Sequence, residues 1–105
     1  MKDRDRLPRV WSPEAEQDLL DIWEFVAVAT SGTAADKQMH EIDRVCFALG
    51  AWPEYGKARD DVRKELRSAR VGRYVLFYGV RKDAIEIVRV LDERRDVDAM
   101  FSDDE

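Results

Sequence analysis

At 105 residues, with 45% hydrophobic residues, the chain is long enough for one small domain with its own core. A single cysteine excludes an intramolecular disulfide, and no apolar run approaches the length of about 18 residues that crosses a bilayer. The N-terminus alternates charges and has no apolar signal core, so we expect a cytoplasmic protein that does not enter a membrane.

The net charge of −5 conceals an uneven distribution of charge along the chain. Residues 1–56 carry a net charge of −5, residues 57–95 carry +5, and residues 96–105 carry −5. These segments have two interpretations. Either they are ordinary solvated faces, or the basic segment meets an anionic partner while the acidic tail stays free.

The first predicted elements are a flexible lead-in over residues 1–8 and a short strand over residues 9–11. Ser12-Pro13-Glu14 then predicts a helix start, because Ser caps exposed amides and Pro suits the first helical position. The apolar residues that follow share one helical face: Ala15, Leu19, Ile22, Trp23 and Val26. This helix is predicted to end near Thr30-Ser31-Gly32.

A second helix is predicted from Thr33 or Ala34. Its apolar face again follows helical spacing: Ala35, Met39, Ile42, Cys46 and Leu49. It is predicted to end between Gly50 and Trp52, because Pro53 stops it. Since the connection between the helices is so short, they should form an antiparallel hairpin. Residues 53–65 read as a charged loop.

Residues 66–95 predict three antiparallel strands, with turns at Gly72-Arg73 and at residues 81–83. Residues 96–101 predict one helical turn that docks Met100 and Phe101 back, and residues 102–105 predict an acidic disordered tail. The predicted fold is α+β, a helical hairpin packed on a small antiparallel sheet in the order β-α-α-β-β-β. The domain should span residues 9–101.

The arginines of the basic segment have functional and structural interpretations. Arg67 and Arg89 either contact an anion on the open sheet face or pair with carboxylates such as Glu65 and Glu86. Arg73 is expected to be solvated on its turn.

Arg94 and Arg95, after the last strand, either form part of a target surface or pair with Asp92 and Asp96.

For the remaining aromatic and reactive side chains, the sequence pattern favours structural roles. The large aromatic residues are expected to pack in the core or hairpin rather than stack on bases: Trp11, Trp23, Trp52, Tyr74 and Phe77. Cys46 is expected to be an inert core thiol, and His40 a surface residue. The sequence has no His, Cys or carboxylate cluster with metal spacing and no glycine-rich phosphate loop, so no metal or cofactor is predicted.

The ordered motifs along the chain resemble the ParE branch of the ParE/RelE toxin superfamily over residues 9–101. They are the helix start WSPEAEQDLLDIWEFV, the helix-ending P-E-x-G, L-R-x-x-x-V-G-R-Y-x-x-F-Y, and I-x-I-V-R-V-L-x-x-x-R-D. This resemblance implies a toxin of a bacterial type II toxin–antitoxin module, of the kind associated with plasmid stabilization. ParE-like toxins inhibit DNA gyrase and block replication, whereas RelE-like toxins cut mRNA on the ribosome.

The chemistry of RNA cleavage separates these two activities. Cleavage at a 2′-hydroxyl needs a proton acceptor, cations that hold the phosphate, and an acid for the leaving oxygen. Under the resemblance, Arg67 matches the family's sheet arginine, and Arg94 or Arg95 matches its C-terminal arginine. The expected tyrosine position falls within residues 99–101, which have no titratable side chain.

The lack of a titratable side chain in residues 99–101 departs from the nuclease pattern. It therefore favours gyrase inhibition and argues against an enzyme. Tyr74 and Tyr78 stay open as substitutes for the missing tyrosine, so the ribosome-dependent nuclease remains an alternative. An inactive homologue that serves as an antitoxin-binding corepressor is a third.

The resemblance also implies a small partner, a ParD-like antitoxin whose C-terminal part is disordered until it wraps the toxin. We expect it to add a strand to an exposed sheet edge and to place an amphipathic helix beside the helical hairpin. Its acidic residues would then meet the arginines and cover the surface that engages the target. Direct nucleic-acid binding is not expected. The candidate target- or antitoxin-binding residues are Arg67, Arg73, Tyr78, Arg89, Arg94 and Arg95.

Overall fold

The computed structural model of the chain describes residues 6–102. Within this range it has the helices α1 Pro13–Ala29, α2 Gly32–Ala51 and α3 Val97–Ser102, and the strands β1 Arg9–Trp11, β2 Lys57–Ala58, β3 Leu66–Val71, β4 Tyr74–Val80 and β5 Ile85–Asp92. Residues 1–5 of the predicted lead-in and residues 103–105 of the predicted tail lie outside the described residues. The domain boundaries therefore stay a prediction.

Serine caps begin both long helices, as expected for α1 from its sequence. The Ser12 hydroxyl accepts the Ala15 amide at 3.0 Å and donates to the Val88 carbonyl at 2.8 Å, so this cap also ties α1 to β5. Ser31 accepts the Ala34 amide at 3.0 Å, which lets α2 begin at Gly32. The predicted helical hairpin is confirmed.

The strands form one sheet in the order β1-β5-β4-β3-β2. The predicted antiparallel strands β3, β4 and β5 are confirmed, with Tyr74 opposite both Val71 and Asp92. Two features differ from the antiparallel sheet that we predicted. β1 runs parallel to β5, and β2 adds an edge strand inside the predicted charged loop. Both residues of β2 are exposed, so it carries no apolar alternation that would have marked it as a strand.

The main core lies between the helical hairpin and one face of the sheet. The predicted apolar faces of the helices supply its buried helical residues, among them Ala15, Ile22, Ile42, Cys46 and Leu49. The sheet contributes buried side chains from β3, β4 and β5, such as Leu76 and Ile87. Burial raises the pKa of the Cys46 thiol to about 12, which fits its predicted role as an inert core residue.

A smaller core covers the centre of the opposite face of the sheet. The Phe101 ring of α3 meets the Phe77 ring edge to face, with centroids 5.2 Å apart, and Leu66 and Leu91 complete this cluster. The Arg63 guanidinium lies 4.8 Å from the Phe101 ring centroid. The C-terminal turn therefore docks as predicted, and the face that we expected to be open is partly covered.

The segment before β1 contacts the end of α2. The Leu7 amide donates to the Gly50 carbonyl at 3.0 Å, and the Arg6 guanidinium donates to the Phe47 carbonyl at 2.7 Å. A Cβ atom at Gly50 would collide with the Leu7 carbonyl oxygen, so this approach requires glycine. The described part of the predicted lead-in, residues 6–8, is thus held against the domain.

The prediction of buried aromatic residues is confirmed for Tyr74 and Phe77 and wrong for Trp52. Trp52 is 61% exposed, because it caps the C-terminus of α2 beyond the last buried turn. Trp23 is 38% exposed, and its indole N–H donates to Asp36 at 2.9 Å, which joins the two helices.

Candidate protein-binding site

A cleft lies where the outer side of α1 meets the C-terminal end of β5 and the β3–β4 turn. We call it the α1–β5 cleft, and it is lined by Asp18, Asp21, Ile22, Phe25, Arg73, Tyr74, Val90, Leu91, Asp92, Arg94 and Arg95. Its floor is apolar, and three arginines stand at its sheet side. Three of the six predicted binding residues, Arg73, Arg94 and Arg95, therefore meet in one place.

Asp92 organises the arginines of the α1–β5 cleft. Its carboxylate accepts the Arg73 guanidinium at 2.8 and 2.5 Å, the Arg94 backbone amide at 2.9 Å and the Arg94 Nε at 3.3 Å. The Arg94 amide, followed by the two guanidiniums, lowers the pKa of Asp92 to about 2. Arg94 therefore pairs with Asp92, as one of our two interpretations held. Arg73 also pairs with it, which corrects the expectation of a merely solvated turn residue.

The pairing of Asp92 predicts an acid-sensitive contribution to stability. Because the folded-state pKa of about 2 lies below the ordinary value of 3.8, this contribution is present above about pH 4 and is lost as the pH falls through 2. We expect Asp92→Asn to lower the free energy of unfolding at pH 7 and to flatten its pH dependence between pH 4 and 2. Urea unfolding across this range measures both effects. Asp83→Asn, at an exposed turn, is the matched control, and equal pH profiles for Asp92→Asn and wild type would contradict the assignment.

Aromatic and sulfur contacts complete the α1–β5 cleft. The Arg73 guanidinium carbon lies 5.7 Å from the Phe25 ring centroid and 5.8 Å from that of Tyr74. The Arg95 guanidinium lies 3.1 Å from the Met100 sulfur. Phe25 is 55% exposed and was missed by sequence reasoning, although its position off the predicted apolar face of α1 was a usable signal.

Arg89 has a structural contact at the back of this cleft. Its guanidinium donates two hydrogen bonds of 2.8 Å to the carboxylate of Asp18 on α1, and both side chains are nearly buried. The same carboxylate accepts the Val90 amide at 2.9 Å. Arg89 therefore pairs with a carboxylate, as one of our two interpretations held, and Glu86, the carboxylate named there as an example, pairs with Arg81.

Arg67 and Tyr78 lie away from the cleft, beside residues 53–56. Arg67 donates to the Gly56 carbonyl at 2.5 Å and to the Glu54 carbonyl at 3.3 Å, two backbone partners that neither of our two interpretations named. Tyr78 is fully buried, which places this predicted binding residue inside the core. Its hydroxyl donates to the Pro53 carbonyl at 2.7 Å and accepts the Gly56 amide at 2.9 Å.

Comparison with known proteins gives a consistent result. The family model described as "ParE toxin of type II toxin-antitoxin system, parDE" matches residues 9–97. Toxin ParE1 of two Mycobacterium tuberculosis strains is 33% identical over 88 residues, which are 83% of this chain and 90% of that protein. The chain belongs to the ParE toxin family.

One further relative and one solved structure are also similar to the chain. Toxin ParE3 of Caulobacter vibrioides is 29% identical over 84 residues, 80% of this chain and 84% of that protein. A solved chain titled "Chromosomal ParDE TA system from P. aeruginosa" aligns with a TM-score of 0.73 and 19% identity, covering 84% of this chain and 97% of that chain. This similarity confirms the ParE-like fold.

Tyr74, Tyr78 and His40 are the side chains that the sequence raised for proton transfer. Burial raises the pKa values of both Tyr74 and Tyr78, and both rings face the helical layer. His40 is exposed on α2, as predicted, among residues of the outer helical surface.

The described residues 6–102 also bear on metal binding and on membrane insertion. They contain no group of three His, Cys, Asp or Glu side chains placed to hold a metal ion. Of their helices, none is long and apolar enough to cross a membrane.

Proposed function

We propose that the chain acts in the cytoplasm as a toxin that inhibits DNA gyrase, and that a ParD-like antitoxin neutralises it by binding in the α1–β5 cleft. That the chain is the toxin of a type II toxin–antitoxin module follows from its membership of the ParE family. The observation that favours gyrase is that Tyr74 and Tyr78 are buried and His40 lies on the outer surface of α2, so neither these tyrosines nor this histidine is an accessible proton-transfer group beside the cleft arginines. Arginine stays protonated and is a poor proton acceptor, so Arg73, Arg94 and Arg95 can hold anions but do not themselves supply the proton acceptor.

The shape and chemistry of the cleft support an amphipathic partner helix. Ile22, Phe25 and Val90 offer apolar contacts, and Arg73 and Arg94 border them with fixed positive charge. A helix with an apolar stripe and flanking carboxylates would match both features. Because Asp92 already orients the guanidiniums, little side-chain entropy remains to be lost on binding.

The edge of β3 supports a second antitoxin contact. β2 pairs only with Arg67 and Ser68, so the outer edge of residues 69–71 carries no strand within the described chain. An extended antitoxin segment would extend the sheet there through backbone hydrogen bonds. Arg70, which forms an ion pair with Glu93, stands at that edge.

The proposed activity predicts inhibition of DNA supercoiling by gyrase. We expect the purified chain to inhibit supercoiling of relaxed plasmid by bacterial DNA gyrase, and an equimolar cognate antitoxin to restore it. The same preparation should leave mRNA intact in a ribosome-dependent translation assay. mRNA cut on the ribosome, with gyrase unaffected, would contradict the proposal and identify the nuclease alternative. Inactivity in both assays, with tight antitoxin binding, would identify the corepressor alternative.

A further inference from the structure

The two sides of the α1–β5 cleft carry opposite charge. We propose that the cleft selects a helix with acidic residues on one flank of its apolar stripe and basic residues on the other. This pattern would hold the antitoxin helix in one direction along the cleft. The inference rests on the proposed function in one respect, that an antitoxin helix occupies the cleft.

The sheet side of the cleft is cationic. Three arginines line it with one aspartate, Asp92, which leaves a formal charge of +2 on this side. Asp92 is shared between Arg73 and Arg94. The Arg95 guanidinium contacts the Met100 sulfur, a weak acceptor, and forms no ion pair with a carboxylate within residues 6–102. Positive charge therefore remains for the carboxylates of a partner.

The α1 side of the cleft is acidic. Every charged residue of α1 is a carboxylate, since Pro13–Ala29 contains five Asp or Glu residues and no Lys or Arg. Asp18 is paired with Arg89, but Asp21 lines the cleft, and Glu24 lies in the depression that continues from the cleft along α1. Asp21 accepts a hydrogen bond from the neutral Gln17 side chain at 3.0 Å, which leaves its negative charge unbalanced.

These carboxylates do not help α1 to fold. Asp21 and Glu24 are exposed and three residues apart, and like charges at this spacing repel each other on a helix. A basic residue at either position would relieve the repulsion, yet α1 has none. Side chains that serve binding commonly lower stability in this way. The acidic side is thus better suited to basic residues of a partner than to the stability of the free chain.

Apolar side chains lie between the two charged sides. Ile22 and Val90 belong to the cleft floor, and Phe25 and Val28, 55% and 85% exposed, extend it along α1. A partner helix that buries its apolar stripe on this floor must place one flank against α1 and the other against the arginines. The floor and the two sides therefore recognise one helix together.

Opposite charge on the two sides sets the direction of the bound helix. If the helix is turned end for end on the same stripe, its flanks exchange sides and each meets like charge. Helix α1 of a second copy cannot satisfy the pattern, because it has no basic residue to place beside Asp21 and Glu24. The charges therefore favour a partner helix that carries both signs of charge, which we assign to the antitoxin.

Three synthetic peptides test the charge pattern. Each has the same apolar stripe and about 18 residues, a length at which a designed helix can form alone. One has Glu on one flank and Lys on the other, one has Glu on both flanks, and one has Lys on both. By fluorescence anisotropy, we expect the wild-type chain to bind the mixed peptide about tenfold or more tightly than either uniform peptide.

A nitroxide at the N-terminus of the mixed peptide tests the direction. It should broaden NMR signals at one end of the cleft, and exchanging the Glu and Lys flanks should move the broadening to the other end. Broadening at the same end for both peptides would overturn the inference that charge sets the direction.

Reversing the charge of α1 gives a further measurement. Asp21→Lys/Glu24→Lys makes both sides cationic, so the peptide with Glu on both flanks should become the tightest, and the cognate antitoxin should lose about tenfold or more in affinity. The Tm should not fall, because both side chains are exposed and their repulsion is removed. Glu54→Lys/Asp83→Lys, at the opposite end of the sheet, makes the same charge change and should keep the wild-type order of peptides.

Each other outcome overturns a defined part of the proposal. Equal binding of the three peptides, or binding of none, would overturn the inference alone, because the affinity for the antitoxin is measured separately. The expected peptide order with unchanged antitoxin binding by Asp21→Lys/Glu24→Lys would overturn the cleft as the antitoxin site, while its charge preference would stand. If this variant instead loses binding to purified DNA gyrase, or a dimer in sedimentation, the cleft belongs to that partner and the choice of the antitoxin is overturned.

Discussion

Replacing Asp18 with alanine should cost about 3 kcal/mol of unfolding free energy, the largest effect on stability that we predict. The substitution removes a carboxylate that accepts three hydrogen bonds, two from the Arg89 guanidinium and one from the Val90 amide. β1 pairs with β5 only as far as Ile87, so Asp18 takes the place of the next strand beside Val90. The loss combines a nearly buried ion pair with an amide deprived of its acceptor.

Urea unfolding followed by circular dichroism at pH 7 measures this cost. Asp43→Ala is the matched control, because it breaks the exposed Arg9–Asp43 pair, whose contribution should be below about 1 kcal/mol. A loss for Asp18→Ala within the range of the control would show that the Asp18–Arg89 contact is incidental to stability.

Introducing negative charge at two positions in the α1–β5 cleft should cause the largest loss of antitoxin affinity that we predict. We expect Phe25→Glu/Arg94→Glu to weaken antitoxin binding about hundredfold or more, since two central contact residues commonly supply several kcal/mol together. Phe25→Glu replaces apolar surface with a carboxylate, and Arg94→Glu repels the acidic residues expected of the partner. Both side chains are exposed, so the fold should persist.

Titration calorimetry with the cognate antitoxin measures this loss. Lys37→Glu, on the exposed side of α2, makes a comparable charge change away from the cleft and should leave affinity within threefold of wild type. If the cleft variant also binds normally, the antitoxin occupies another surface. Co-expression gives a second reading, because the variant should arrest growth even when the antitoxin is present.

The structure changes which arginines can test the antitoxin interface. From the sequence, Arg67→Glu and Arg89→Glu would have been natural choices, with unchanged affinity counting against the interface. Arg67 holds the backbone of residues 54–56 and Arg89 holds Asp18, so either reversal would disturb the fold before it reported on binding. Arg73 and Arg94 keep their exposed positions at the cleft and are the informative residues.

Much of the fold could be predicted because its signals are local. Each of these signals acts within a short segment of the chain. They are Ser12-Pro13 at the start of α1, the apolar periodicity of both long helices, and the strand runs at residues 74–80 and 85–91. Hydrogen bonding to the nearest amide and burial of one face are properties of the segment itself. For the same reason the sequence placed Phe101 against the domain and Cys46 in the core.

By itself, then, the sequence determined the helical hairpin, the three-stranded meander, the basic character of residues 57–95 and the resemblance to the ParE family. Only the tertiary structure decided the partner of each arginine, because those contacts join distant residues. Asp18 and Arg89 are 71 positions apart, and many carboxylates of equal charge compete along the chain. The burial of Tyr78 and the exposure of Trp52 were decided in the same way, by which backbone the fold brings beside each ring.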